Sequence, residues 1–202
     1  MNEENLSELE QFVKLLHISG LKIPNDLRLY LVTEDGREYY VKDGRFRQEY
    51  MNDFQWLTSE RGNVLEAFAR FEFLIGEIIR FKIIGFETEK NDMIIDLISA
   101  INLNRQISLL SDWKIIDVDL KKRMNSLLEV RNGLAHKFFK EEINYKNKEL
   151  MEFGENKAFD GFKKDMNEIW KKLVKIYVQE QEKIDFKKLA NEIRIINNFN
   201  PK

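Results

Sequence analysis

The chain has no cysteine and very little proline or glycine. Its 202 residues include only two prolines and nine glycines. The absence of cysteine excludes disulfides, thiolate zinc sites and a cysteine nucleophile. Sandwiches, barrels and flexible linkers need many turn-forming residues, and this chain has few. The composition therefore favours helices.

A strong charge of one sign and a long apolar run are also missing. The 33 basic and 35 acidic residues give a net charge of −2, so the whole chain exerts no broad attraction on nucleic acid. No apolar run approaches the roughly 20 residues that span a bilayer. The first residues, Met1 to Glu4, lack the basic and apolar regions of a signal peptide. We expect a cytoplasmic protein with no membrane partner, in which any RNA binding uses a local patch.

Apolar residues recur at helical spacing through most of the chain. The first 48 residues differ, because a short helix at 6–19 is followed by two β-rich runs around Glu34-Asp35-Gly36, which indicates a hairpin. We therefore predict a mainly α fold with an N-terminal helix and hairpin at 1–48 and a helical bundle at 49–200. The predicted helices of the bundle span 60–84, 91–101, 104–113, 117–139, 158–181 and 184–196, with a brief extended stretch at 142–145.

The helix predicted at 117–139 carries the motif whose residue types best suit catalysis, Arg131-Asn132-Gly133-Leu134-Ala135-His136. A guanidinium that holds phosphate and an imidazole that transfers protons suffice for RNA cleavage without a metal. A helical projection at about 100° per residue places Arg131 on the midline of the apolar stripe, and His136 with Asn132 on the polar side. An arginine inside an apolar stripe needs a partner for its donors.

Glu72, like Arg131, is a charged residue inside an apolar stripe, because the projection of its helix places it among apolar residues. Two opposite charges inside two apolar stripes suggest that the helices face each other and that Glu72 pairs with Arg131. A bidentate carboxylate would hold one edge of the guanidinium and leave the other edge for phosphate. The alternatives also stay open: Arg131 forms an ion pair that only fixes helix register, and His136 is an exposed histidine with no role.

Basic residues near the motif offer a local patch for RNA. Three precede the motif on the same predicted helix and two follow it: Lys121, Lys122, Arg123, Lys137 and Lys140. Each of them is equally explained as part of a solvated helix face. Metal-dependent hydrolysis is disfavoured, because the chain has two histidines, no His-Glu-x-x-His spacing and no convincing carboxylate cluster.

The motif resembles the signature of the HEPN superfamily (higher eukaryotes and prokaryotes nucleotide-binding): Arg, four to six residues, then His, late in a long helix of a small bundle. A polar residue often follows the Arg, and here Arg131, Asn132 and His136 occupy these positions. Glu72 corresponds to the supporting acid of the family's preceding helix. The resemblance covers roughly residues 50–182.

The resemblance implies a metal-independent endoribonuclease without a cofactor, acting as a toxin or anti-phage effector. It implies a homodimer that joins two motifs across one cleft, with RNA as substrate and an antitoxin or another defence-system protein as partner. His136 would move protons at the 2′-hydroxyl or the leaving 5′-oxygen, and Arg131 would stabilise charge on the phosphorus. The alternative is a non-catalytic HEPN-like helical module that binds protein or nucleotide.

Overall fold

The structure is a computed structural model that describes residues 7–33, 37–50, 60–85, 91–136, 142–145, 149–152 and 157–198. Over these ranges it contains seven helices and two small antiparallel sheets, which confirms the mainly α fold. The helices are α1 (Glu8–Leu16), α2 (Glu60–Ile84), α3 (Asn91–Ser99), α4 (Leu103–Asp112), α5 (Val118–His136), α6 (Lys157–Gln181) and α7 (Phe186–Ile196). The strands are β1 (Leu29–Val32), β2 (Arg37–Lys42), β3 (Arg45–Tyr50), β4 (Glu142–Tyr145) and β5 (Glu149–Glu152).

Helix α1 begins with a capping box. The Ser7 hydroxyl accepts a hydrogen bond from the Glu10 amide at 3.2 Å, and the Glu10 carboxylate accepts one from the Ser7 amide at 2.9 Å. These bonds satisfy donors that a helix start otherwise leaves unpaired. The helix packs against α7, where the rings of Phe12 and Phe186 lie 5.6 Å apart. Local sequence and packing thus agree on this element.

The first sheet has three strands in the order β1-β2-β3, where the sequence predicted a hairpin of two. Asp43 and Gly44 both have positive φ, 53° and 67°, the conformation of a tight hairpin turn. This pair leads into β3, whose mostly polar residues give no regular apolar alternation. Residue 48, the predicted end of the N-terminal part, lies inside β3. The predicted turn at Glu34-Asp35-Gly36 lies outside the described residues.

Two side-chain amides from the C-terminal third hold the N-terminal part in place. Gln181 accepts a hydrogen bond from the Val32 amide at 2.6 Å and donates one to the Val32 carbonyl at 2.8 Å. Asn197 does the same at Lys22, with both distances 2.7 Å. Sheet and helices share one hydrophobic core. The N-terminal elements are therefore integrated into the bundle.

Helix α2 runs through the middle of the bundle and packs against α3, α4, α5 and α6. Its core face includes five buried apolar residues at helical spacing, Val64, Phe68, Phe71, Ile75 and Ile78. A second hairpin, β4–β5, contacts α5 and α6; the sequence predicted β4 and missed β5. Among the described residues, no helix has the length and apolar content to cross a membrane.

Candidate functional site

Helix α5 positions the Arg131-Asn132 pair near its C-terminal end. Its first turn is capped by Asp117, whose carboxylate accepts a hydrogen bond from the Leu120 amide at 2.6 Å. Arg131 is half-buried and Asn132 is exposed. The Arg131 Nη1 atom donates to the Asn132 Oδ1 atom at 3.4 Å, a long and weak contact. The guanidinium therefore lies at the edge of the core, oriented by its neighbour.

The expected ion pair between Glu72 and Arg131 is not formed, although both residues are described and their helices pack together. Glu72 is half-buried and lines a cavity that Arg131 does not reach. The physical reason is that α2 contacts four helices. The position of Glu72 in the apolar sector of α2 therefore does not determine which of these helices its side chain meets.

His136 is the last residue of α5. Its side chain, like Lys137 and Lys140, lies outside the described residues. His17 forms the C-cap of α1 and packs edge-on against Phe46 with ring centroids 4.8 Å apart.

The predicted basic patch is smaller than expected. Lys122 is exposed and Lys121 half-buried on α5. Arg123, however, donates to Asp165 at 3.1 Å and to Glu168 at 2.6 Å on α6. Desolvation alone would lower the pKa of Arg123, but the bonds to these two carboxylates outweigh it and raise the pKa. Arg123 therefore joins two helices and is withdrawn from the predicted RNA contacts.

A cavity of about 380 Å³ lies between β1, β2 and the helices α2, α3 and α4. Its lining residues are Arg28, Leu29, Tyr30, Tyr40, Val41, Lys42, Glu72, Phe73, Gly76, Glu77, Arg80, Ile95, Ile98, Ser99 and Gln106. Cavities that hold small ligands typically have volumes of about 300–1,000 Å³, mostly apolar walls and a few polar groups. This cavity has that character, and sequence reasoning missed it.

Three aromatic rings form one wall of the cavity. The Tyr30 ring lies 5.0 Å from that of Tyr40 and 4.9 Å from that of Phe73, between centroids. Glu38, which is 5% exposed, accepts hydrogen bonds from the Tyr30 hydroxyl at 3.0 Å and the Tyr40 hydroxyl at 2.7 Å. Burial first, and then the charge of Glu38, raise the pKa of Tyr30. Both phenols are thus fixed and the wall is rigid.

An ion pair forms another part of the lining. Arg80 binds Glu77 at 2.8 Å, with only 3% of the arginine side chain exposed. Burial alone would lower the pKa of Arg80, but the Glu77 carboxylate outweighs it and raises the pKa. Tyr177, fully buried, donates to the Tyr30 carbonyl at 2.8 Å and lies 3.5 Å from the Glu77 carboxylate. This network connects α2, α6 and β1.

Gln106 closes the cavity on the α4 side and has one atom without a partner. Its Nε2 atom donates to the carbonyls of Ile101 at 2.8 Å and Ile98 at 3.1 Å. Two carbonyl partners fix the orientation of the amide, because a carbonyl only accepts. The remaining Oε1 atom is buried and accepts no hydrogen bond in the structure.

The sequence contained one signal for this cavity. Glu72, Gly76 and Arg80 follow each other at four-residue spacing, so they share one side of α2. A glycine between two charged residues in an apolar helix leaves room beside the helix. The strands that complete the cavity could not be placed from spacing alone.

No cluster of His, Asp or Glu in the part of the chain that the structure describes could hold a metal ion. The chain matches no protein-family model, and neither the curated proteins nor the solved structures include one that is significantly similar to it.

Proposed function

We propose that this chain is a metal-independent endoribonuclease of HEPN type, with Arg131, Asn132 and His136 as its reacting groups. One observation carries the proposal. Arg131 lies half-buried near the end of α5 and binds no described carboxylate; its described contact is the weak one to Asn132. A guanidinium in this situation keeps donors for a phosphate. His136 follows at the end of the same helix.

The chemistry uses the ribose as nucleophile. A general base removes the proton of the 2′-hydroxyl, the 2′-oxygen attacks phosphorus, and the bond from phosphorus to the 5′-oxygen breaks. The leaving 5′-oxygen takes a proton from a general acid. The products are a 2′,3′-cyclic phosphate and a 5′-hydroxyl. In a homodimer His136 of one protomer acts as base or acid, water fills the other role, and Arg131 of the facing protomer stabilises the charge on the phosphorane-like transition state.

The RNA surface of the proposal comprises Lys121 and Lys122, with Lys137 and Lys140 beyond the helix end. The net charge of the whole chain is −2, so RNA binding should be weak or should depend on a partner. We assign the enzyme to the cytoplasm as a toxin or anti-phage effector, with an antitoxin or another defence protein as the partner that restrains it. Glu72 has no place in this site, because it lines the cavity instead.

The test is cleavage of mixed RNA in EDTA. We expect His136→Ala and Arg131→Gln each to slow cleavage roughly 100-fold or more. His17→Ala and Arg105→Gln are the matched controls, since His17 packs on Phe46 and Arg105 is exposed on α4. Inactive wild-type protein, or equal loss in the controls, contradicts the proposal.

Mixing the two inactive variants tests the shared cleft. A dimer of His136→Ala with Arg131→Gln contains an intact copy of each side chain, so part of the activity should return. If the mixture stays inactive while both variants remain dimeric, each protomer acts alone.

A second candidate is the non-catalytic helical module. It is favoured by exposed apolar side chains on α3, where Met93 is 73% and Leu97 60% exposed, one helical turn apart. This face suits the apolar face of a protein partner. The module is identified if wild-type protein leaves RNA intact and binds a protein partner that the Leu97→Lys variant does not bind.

A further inference from the structure

We propose that the cavity between the first sheet and α2–α4 binds a guanine nucleotide, with the base inside and the phosphate at a basic rim. The proposal does not rest on the ribonuclease function, since Arg131 is not part of the described cavity lining. Four features carry it: an unused carboxylate, an aromatic wall, a cationic rim and a matching volume.

One acceptor in the described lining of the cavity is left unused. Glu72 is half-buried and takes part in no ion pair or hydrogen bond with a described residue. A partly desolvated carboxylate without a donor is costly, so the site is complementary to a ligand that brings N–H groups.

Guanine matches a carboxylate best among the common bases. It presents N1–H and the N2 amino group side by side on one edge, and a carboxylate accepts two parallel N–H bonds. Adenine and cytosine offer an amino group beside a ring acceptor, and uracil offers one N–H. The pairing of these two donors with Glu72 therefore selects guanine.

The aromatic wall suits a flat ligand. Phe73 is 44% exposed, so one part of its ring is open, while its edge-to-face contact with Tyr30 at 4.9 Å holds it in place. The Tyr30 and Tyr40 hydroxyls are both turned to Glu38. A base that stacks on such a fixed ring loses little conformational entropy, and base–aromatic stacking is strong for every base.

The rim of the cavity is positive. Tyr40 and Lys42 line both this cavity and an adjoining surface hollow, which continues over Asp43, Arg45 and Arg47 on the β2–β3 hairpin. Lys42, Arg45 and Arg47 are exposed and form no ion pair with a described residue. Three cations against one Asp attract a phosphate. The volume of about 380 Å³ lies within the usual range of small-ligand sites.

The experiment is calorimetric titration of the full chain with GMP, IMP, UMP and guanosine. We expect GMP to bind most tightly. IMP lacks only the 2-amino group, so its Kd should be weaker by roughly tenfold. Glu72→Gln keeps the shape and removes the charge, and it should weaken GMP at least tenfold. Glu66→Gln on the exposed side of α2 is the matched control and should bind like wild type.

The rim is tested by Lys42→Gln combined with Arg45→Gln. This variant should reduce the affinity for GMP to that for guanosine and leave guanosine itself unchanged, because the lost contacts are to phosphate. Lys171→Gln with Lys172→Gln, both exposed on α6, is the control. Circular dichroism and Tm of each variant check that the fold is intact.

The nucleotide has two possible sources, a free mononucleotide or a guanosine within RNA. A short single-stranded RNA that contains one guanosine is titrated beside GMP. Tighter binding of the RNA assigns the site to an RNA chain, and equal or weaker binding assigns it to the free nucleotide.

Failure of wild type to bind GMP, guanosine and the RNA overturns the proposal. Equal affinity for UMP and GMP, or binding that Glu72→Gln does not change, also overturns it. His136→Ala should leave GMP affinity unchanged, which separates this result from the ribonuclease test.

Discussion

The side-chain amide of Gln181 on α6 pairs with both backbone groups of Val32 on β1, at 2.6 and 2.8 Å. The geometry is that of a neighbouring strand reduced to one residue. It satisfies a donor and an acceptor that would otherwise be buried without partners, since Val32 is fully buried.

Replacing Gln181 should therefore destabilise the whole fold. Gln181→Ala leaves two buried backbone groups unpaired, and we expect a loss of about 2–4 kcal/mol in the free energy of unfolding. Chemical denaturation measures it. Gln179→Ala, at an exposed position two residues earlier, should change stability by less than about 0.5 kcal/mol. A loss no larger than that of the control would show that the clamp contributes little.

Two arginines with opposite surroundings give a second prediction. Arg80→Ala removes the partner of the nearly buried Glu77 and should cost about 3–5 kcal/mol. Arg131→Ala removes only a 3.4 Å contact with Asn132, so the cost should stay below about 1 kcal/mol. Thermal unfolding of the two variants decides this, and equally large losses would indicate that Arg131 has an ionic partner after all.

The pH dependence of stability should reflect Glu180. Its burial would raise the pKa of the carboxyl, but Lys183 and Lys82 outweigh that effect and lower the pKa below the usual value of 4.5. A lowered folded-state pKa means that the unfolded chain binds a proton first as the pH falls. The stabilisation is therefore present above the unfolded-state value and is lost as the pH falls through the folded-state value.

Glu180→Gln isolates this contribution. The variant should be less stable than wild type near neutral pH, and the difference should shrink as the pH is lowered below about 4.5. Denaturant unfolding of both proteins at pH values from roughly 3 to 7 gives the free energy of unfolding of each as a function of pH. The stability of Glu182→Gln, exposed just beyond the end of α6, should run parallel to that of wild type across this pH range. A constant difference at all pH values would contradict the assignment.

Two helical glycines predict a gain in stability. A Cβ atom added at Gly161 on α6 meets nothing within 4 Å, and one added at Gly76 on α2 lies 3.4 Å from Ile98 Cγ2. Alanine removes conformational freedom from the unfolded chain, so Gly161→Ala should stabilise by about 0.5–1 kcal/mol. Gly76→Ala should raise the free energy of unfolding by less, because the Ile98 side chain must shift slightly to make room for the added Cβ atom. A larger gain at Gly76 than at Gly161 in denaturation would reverse this order.

How much of the fold the sequence predicts depends on the kind of signal. Helices with regular apolar spacing were predicted closely, as with 60–84 for α2 and 158–181 against the observed Lys157–Gln181. Strands β3 and β5 were missed because their residues are mostly polar, so no apolar alternation marks them. Their pairing with a neighbour, not their own composition, makes them strands.

Long-range side-chain partners were predicted less well. The projection correctly placed Glu72 among apolar residues, but α2 has several neighbours and the cavity, not α5, receives this side chain. Arg123 was predicted to contact RNA, and its two acidic partners lie more than 40 residues away on α6. Partners at such separations depend on how helices pack, which periodicity within one helix does not specify.

The clamps by Gln181 and Asn197 also order the events of folding. Each joins residues that lie 149 or 175 positions apart in the chain, so the first requires that α6 has been made and the second that α7 has been made. A growing chain therefore carries β1 with an unpaired outer edge until α6 arrives. That edge is the place where incomplete chains would adhere to each other. Synthesis of α6 thus turns an exposed strand border into a protected one.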